Sequence, residues 1–213
     1  MTYREMRELS YAGFSVFHDE ALIPAIQGQI PIVVKNTNHP TKPGTTIVPE
    51  KQFSPGRIVT GIANNNEFSA LYIHKYLLNK QVGFTLKILQ ILYSYNVSYE
   101  HMPSGIDDLT IIFKNNQLTS ELREQISLDI QAAVQPDELR WIEDYSIIMV
   151  VGEGMKNKIG IVGKVINSLS KNEIAIRMLN QGASKISMML GVESKDAEKA
   201  VTSIYKEFFN EVK

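Results

Sequence analysis

Two glycine-rich segments of the 213-residue chain are the first candidates for phosphate chemistry. Residues 152–157 lack the third glycine of a dinucleotide-binding loop, and residues 160–165 lack the spacing and the Ser or Thr of a phosphate-binding loop. The four histidines, at positions 18, 39, 74 and 101, do not have the spacing of metal ligands. Cysteine is absent, which excludes disulfides and thiolate chemistry. We therefore expect turn glycines, surface or half-buried histidines, no metal site and no catalytic residue.

The charge balance argues against polyanionic partners. The 22 Lys and Arg residues are offset by 23 Asp and Glu residues, for a formal net charge of -1. Nucleic-acid binding and polybasic membrane attachment both need an excess of cations. The apolar runs are too short to cross a bilayer, and the charged start of the chain is unlike a signal peptide. We expect a cytoplasmic protein that binds neither nucleic acid nor membrane.

An internal repeat occupies most of the chain after residue 57. Shifting the sequence by 77 residues aligns five identical pairs and a matching apolar pattern, without a gap between residues 69 and 113. The first copy begins near residue 69 and the second near residue 146. The identical pairs are Ser69 with Ser146, Gly83 with Gly160, Lys87 with Lys164, Leu92 with Leu169, and Gly105 with Gly182.

Each copy is predicted to run strand, helix, two strands, helix, strand. Glycine turns precede the first helices, whose apolar residues have helical spacing, and hairpin turns lie at 104–105 and 181–182. Ser194 is predicted to cap the last helix. Because the second copy ends there, we expect residues 57–63 to supply its missing strand, with the first copy inserted in the second. The predicted strands are 70–77, 109–113 and 138–144 in the first copy and 147–151 and 186–190 in the second.

The first fifty residues have a different pattern. Thr2 and Glu5 have capping-box spacing, so a helix is predicted from the start of the chain and should end at Gly13. A second short helix is predicted over 20–26 and a buried strand over 30–34. Residues 36–56, rich in Pro, Gly and Asn, are predicted to be a linker without regular elements. Such a segment is too small to close its own core, so it is either the edge of a larger domain or a subdomain packed on the rest.

Two stretches carry a family resemblance. Residues 81–108 (QVGFTLKILQILYSYNVSYEHMPSGIDD) and 159–192, with the turn 180–184 (NQGAS), resemble the tandem ACT domains of the regulatory half of aspartate kinases. Residues 2–25 and 30–45 are similar to the closing helices and last strand of the amino-acid-kinase domain. The resemblance implies an α+β fold with two ferredoxin-like βαββαβ domains. Its implied boundaries are 1–50 for the kinase remnant and linker, 67–144 for the first ACT domain, and 57–66 with 145–213 for the second.

The resemblance also implies an activity for a longer parent protein. Aspartate kinases transfer phosphate from ATP, with magnesium, to the β-carboxylate of L-aspartate. The Lys-Phe-Gly-Gly opening of that family is missing here, and Ser15 and Asp19 replace the Lys and Pro of its kinase motif. We therefore expect this chain alone to be inactive and to hold no cofactor. The alternative is a non-catalytic subunit or a freestanding amino-acid-sensing module that responds to L-threonine or another amino acid.

The candidate ligand site lies in the first copy. Gly83 and the helix after it suit an α-carboxylate, and Glu100 aligns with Arg177, so only the first copy offers a carboxylate to a cation. The charge alone leaves open that Glu100 is simply an exposed strand residue. Resemblance to lysine-sensitive enzymes implies L-lysine as effector, a homodimer with the site near its interface, and the 36–56 segment as the link to the catalytic domain. The implied site residues are Leu78, Gln81, Gly83, Phe84, Thr85, Ser98, Tyr99, Glu100, Ser104 and Asp107.

Overall fold

The structure is a computed structural model that describes residues 1–14, 16, 19–50 and 56–209. The chain divides into a split unit, Met1–Asn65 with Ile147–Lys213, and a central unit, Asn66–Ser146. Two long strands, β3 (Gly61–His74) and β5 (Glu138–Val151), each contribute residues to both units. The domain boundaries implied by the resemblance stay a prediction.

The central unit has helices on one face of an antiparallel sheet. Its strand order is β4–β3–β5, where β4 is Asp108–Lys114, and β3 pairs with β4 from Phe68↔Lys114 to His74↔Asp108. The helices are α3 (Phe84–Ser94) and α4 (Ser120–Val134). Alternate strand residues turn toward these helices because strand side chains alternate between faces. The resulting core includes Leu71, Ile73, Ile111, Phe113, Ile88, Leu92, Ile126 and Ile130.

The strand predicted before the first hairpin is short and irregular. Residues 98–104 meet β4 through two single bridges, His101↔Ile112 and Ser104↔Leu109. Pro103, which lies between them, has no backbone N–H to donate, although its carbonyl accepts from the N–H of Thr110 at 2.9 Å. The proline explains why the ladder is interrupted here.

The split unit repeats this plan around the second copy. β7 (Ser187–Glu193) lies between β5 and β6 (Met178–Asn180), and α5 (Ile161–Ser170) and α6 (Ala197–Phe209) pack together. The backbone N–H of Thr60 donates to the carbonyl of Val151 at 2.7 Å, which places the segment before β3 beside the end of β5. The core includes Val59, Ile148, Val150, Val165, Leu169, Met188, Leu190, Ala200 and Ile204.

The N-terminal part of the split unit confirms the predicted helix start. α1 (Tyr3–Tyr11) begins with the Thr2–Glu5 capping box, and Gly13 follows its end with a φ of 100°. A 3₁₀ turn over Asp19–Leu22 leads into α2 (Ile23–Gly28). Ser15 and the Asp19 side chain lie outside the described residues.

Three predictions for local structure were wrong. The 36–56 segment contains a strand, β2 (Thr45–Ile47), which pairs with β1 (Ile32–Val34). β1 is not a buried strand, since Val33 is 52% exposed in this two-stranded sheet. Ser194 does not cap α6, because it lies inside a 3₁₀ turn, Ser194–Asp196, that comes before the helix. Pairing between β1 and β2 decides the first two outcomes, whereas the third is a local turn.

The ungapped repeat alignment was also wrong beyond the hairpins. The N–H of Glu100 donates to the carbonyl of Ile112, whereas the N–H of Arg177 donates to that of Gly191. The hairpin of the second copy is therefore two residues longer, and Lys114 at the end of β4 corresponds to Glu193 at the end of β7. A shift of two residues keeps the same strand face inward, so the apolar pattern alone does not reveal it.

Candidate functional site

The turn between β3 and α3 is tied to the hairpin that precedes β4. The N–H of Leu77 donates to a carboxylate oxygen of Asp107 at 2.9 Å, and the N–H of Lys75 donates to the Asp107 carbonyl at 2.9 Å. The N–H of Tyr76 donates to Asp137 at 2.7 Å. The structure thus brings Asp107 to the turn, but its carboxylate already has a structural partner.

Gly83 begins α3 in a conformation that favours glycine, with a φ of 79°. Among the described residues, no heavy atom lies within 4 Å of the place that a Cβ would take there, so the backbone and not crowding selects glycine. Leu78 and Phe84 are core residues, 9% and 3% exposed. Gln81 is exposed and Thr85 half-buried, so among the predicted site residues of the turn these two have accessible side chains.

A surface cavity of about 270 Å³ lies where α3 begins and α4 ends. The positive end of the α3 dipole and the negative end of the α4 dipole meet here. An amino acid carries both an α-carboxylate and an α-ammonium group, so this pair of helix ends matches the charges of that class of ligand. The cavity is lined by Gln81, Val82, Phe84, Lys87, Ala132, Ala133, Val134 and Gln135.

Four other predicted site residues lie on the 98–104 segment, three of them at its start. The N–H and hydroxyl of Ser98 both donate to the Gln117 carbonyl oxygen, at 3.0 and 3.1 Å, and the Gln117 amide donates to the Ser98 carbonyl. Tyr99 is 42% exposed. The Glu100 carboxylate lies 3.6 Å from the Lys114 ammonium group, and its side chain is only 17% exposed. The structure does not support Glu100 as a simple solvent-exposed strand residue.

The ten predicted site residues fall into two groups at opposite ends of β4. Asp107 and Ser104 are next to the Asp108 end of this strand, where Leu77 of the turn binds Asp107. Glu100 is opposite Ile112, four residues further along, which corresponds to about 13 Å at 3.3 Å per strand residue. Ser98 lies further still, beside Gln117. A single amino acid is too short to contact both groups in one chain.

A cluster of polar side chains at the end of β3 was missed from the sequence. Tyr72 donates to Asp108 at 2.5 Å, and His74 Nδ1 lies 2.8 Å from the same carboxylate oxygen. The Tyr72 hydrogen bond, followed by that of His74, lowers the pKa of Asp108, and the Asp108 bond raises the pKa of His74. Alternation along a strand predicts that residues 72 and 74 share a face of β3. Which residue of β4 lies beside them depends on the β3–β4 register.

The equivalent turn of the second copy is filled by the chain itself. A Cβ at Gly152 would lie 2.2 Å from the Ile58 carbonyl oxygen, so this glycine allows two backbones to approach closely. The N–H of Glu153 donates to the buried carboxylate of Glu5 at 2.7 Å. The glycine-rich segment 152–157 therefore allows close backbone packing. The N–H group of Glu153 is already bound to Glu5.

Comparisons with known proteins agree with this architecture. Residues 148–208 match the ACT domain family. The chain is 46% identical over 209 residues to Aspartokinase 3 of Bacillus subtilis, covering 98% of this chain and 46% of that protein. It superposes on Clostridium acetobutylicum aspartate kinase with a TM-score of 0.92 and 42% identity, covering 98% of this chain and 48% of that one. The predicted α+β fold class with ACT repeats is confirmed.

A more distant structure shares the fold. E. coli aspartokinase III in complex with lysine and aspartate superposes with a TM-score of 0.75 and 21% identity, covering 98% of this chain and 46% of that one. The chain thus spans about half the length of each of these three relatives. In the described ranges, no helix has both the length and the apolar character needed to span a membrane. The same residues contain no group of three His, Asp or Glu side chains placed to hold a metal ion.

Proposed function

Since the chain is related to the aspartokinases over 98% of its length, we propose that it is the regulatory region of an enzyme that phosphorylates L-aspartate to 4-phospho-L-aspartate. L-Lysine binds its first copy and acts as a feedback inhibitor. The observation that carries this proposal is the Glu100 carboxylate, which is largely buried at a position where the second copy has Arg177. A largely buried carboxylate binds an ammonium group through strong charge-assisted hydrogen bonds.

The other end of L-lysine has a matching place in the turn. Its α-carboxylate fits the start of α3 beside Gly83, where backbone N–H groups and the helix dipole favour an anion. The exposed Gln81 side chain can donate from its amide. This arrangement selects an α-amino acid, whereas Glu100 selects a cationic side chain.

The separation of the two groups supports a site shared between two copies of the chain. Residues 98–104 lie beyond β4 on the outside of the central-unit sheet, and an edge segment of this kind can pair with another chain. Two-fold antiparallel pairing places the start of one segment beside the end of its partner. Glu100 of one copy then approaches the turn of the other, so a homodimer completes the site.

Inhibition follows from linkage between ligand binding and conformation. An effector that binds one arrangement of the regulatory region more tightly shifts the enzyme toward it, typically by about 1–3 kcal/mol. The proposal assigns ATP and magnesium to residues of the longer enzyme, and the 36–56 segment carries the movement to its catalytic domain. Cytoplasmic location is part of the same proposal.

Calorimetric titration of the 213-residue chain with L-lysine, L-threonine and L-methionine tests the effector. We expect heat with L-lysine and at least a tenfold weaker affinity in Glu100→Gln, because the amide loses the charge-assisted bond. Glu124→Gln, an exposed carboxylate on α4, is the matched control and should bind normally. Absence of L-lysine binding, or equal affinity in Glu100→Gln, would contradict the proposed site. Binding of L-threonine instead would support the alternative of a module with another effector.

Three further measurements test the remaining parts of the proposal. Sedimentation should show a dimer whose population rises with L-lysine, since the ligand contacts both copies. A monomer that binds L-lysine fully would refute the shared site. A phosphate-transfer assay of this chain alone should show no turnover. Inhibition by L-lysine of a longer enzyme that contains this chain distinguishes a regulatory region from a separate regulatory subunit.

A further inference from the structure

The carboxylate assigned to the effector already has a cation beside it. The Lys114 ammonium group lies 3.6 Å from Glu100 Oε1, and the side chains are 38% and 17% exposed. Lys114 is the last residue of β4, so its backbone is fixed while its exposed end keeps rotamer freedom. An incoming ammonium group must therefore replace Lys114 or share the carboxylate with it.

The second copy has an ion pair at the corresponding position with the charges exchanged. Arg177 corresponds to Glu100, and Glu193 at the end of β7 corresponds to Lys114. Arg177 donates to Glu193, which also binds Lys195 at 2.6 Å, and Lys195 followed by Arg177 lowers the pKa of Glu193. The acid of the second copy is thus held by two cations.

We propose that Lys114 is an internal competitor that sets the affinity of the first copy for a cationic amino acid. This inference rests on the proposed function, because it assigns Glu100 to the ligand ammonium group. Binding exchanges one ammonium group for another at the same carboxylate, and the displaced Lys114 side chain turns to solvent. If Lys114 stayed in place, two like charges within a few ångströms would repel each other.

The competitor model predicts opposite effects for two substitutions. Lys114→Met removes the competing charge and keeps the stem, so the Kd for L-lysine should fall about two- to fivefold, as expected for a partly exposed ion pair. Lys114→Arg should raise the Kd, because a guanidinium group binds a carboxylate through two hydrogen bonds and is harder to displace. Lys195→Met removes a cation paired with the acid of the second copy and is the matched control, with an unchanged Kd.

Titration calorimetry of the wild-type chain and these variants with L-lysine separates the possible failures. If the wild type does not bind L-lysine, the proposed function fails and the competitor model with it. If the wild type binds through Glu100 but Lys114→Met binds equally or more weakly, Lys114 supports Glu100 and only the competitor model is overturned. Lys114→Gln gives the same comparison if the Met variant does not fold.

Discussion

Replacing Glu5 by alanine should lower the unfolding free energy of the chain by about 3–5 kcal/mol. The Glu5 side chain is fully buried in the split unit. Its carboxylate accepts from the N–H of Thr2 at 2.7 Å, from the hydroxyl of Thr60 at 2.6 Å and from the N–H of Glu153 at 2.7 Å. One side chain therefore joins the start of α1, the segment before β3 and the turn after β5.

The size of this loss in unfolding free energy follows from the hydrogen-bond donors that the substitution leaves without an acceptor. A buried donor without an acceptor costs about 1–3 kcal/mol, and the two backbone N–H groups cannot rotate away as the Thr60 hydroxyl can. The loss of the capping box is included in this sum. Removing the cost of burying a charge offsets part of it. Glu5→Gln keeps one carbonyl oxygen for Thr60 and Glu153 but turns an amide toward the N–H of Thr2, so we expect about 1–2 kcal/mol.

Urea unfolding followed by circular dichroism measures these differences, and Glu121→Ala is the matched control. Glu121 is also a first-turn acid, on α4, but it is exposed, so its removal should cost much less than the removal of Glu5. Hydrogen exchange adds a local measurement, since the Glu153 amide should exchange faster in Glu5→Ala. If Glu5→Ala destabilises no more than Glu121→Ala, the three hydrogen bonds do not hold the split unit together as argued.

Three further outcomes follow from individual residues. Burial lowers the pKa of His101, so the unfolded state binds more protons than the folded state just below about pH 6.5. Stability should therefore fall on acidification. Unfolding midpoints measured from pH 8 to 5 should show a smaller fall in His101→Gln. Gly152→Ala should cost more than about 2 kcal/mol in a urea titration, because the new Cβ meets the Ile58 carbonyl; a neutral result would refute the close approach. Gly163→Ala should stabilise by about 0.5–1 kcal/mol in the same titration, because Gly163 is inside α5 with no described heavy atom within 4 Å of the new Cβ; destabilisation would show hidden crowding.

Periodic positions were predicted well from the sequence because their physics is local. The buried face of α4, with Ile126, Ile130 and Val134, follows from spacing at four residues. The Thr2–Glu5 capping box depends on two residues within one helical turn. The capping-box spacing does not reveal that the Glu5 carboxylate also binds Thr60 and Glu153, since those partners are far away in sequence.

The candidate site was only partly accessible to sequence reasoning. The contrast between Glu100 and Arg177 was visible in the aligned copies, and Gly83 was visible as a turn residue. That Glu100 is paired with Lys114, and that Asp107 is already bound to Leu77, could not be read from spacing. Strand register decides both contacts, and a register shift of two residues leaves the apolar pattern unchanged.

The amino-acid sequence by itself determined the order of elements, the duplication and the residue types available for a ligand, because helical and strand periods are properties of neighbouring residues. Only the tertiary structure decided which of these residues meet. It placed the turn and Glu100 about four strand residues apart, since antiparallel pairing carries the 98–104 segment toward the far end of β4. Whether a small ligand can contact both groups depends on that strand pairing, and hydrogen bonds between residues distant in sequence determine the pairing.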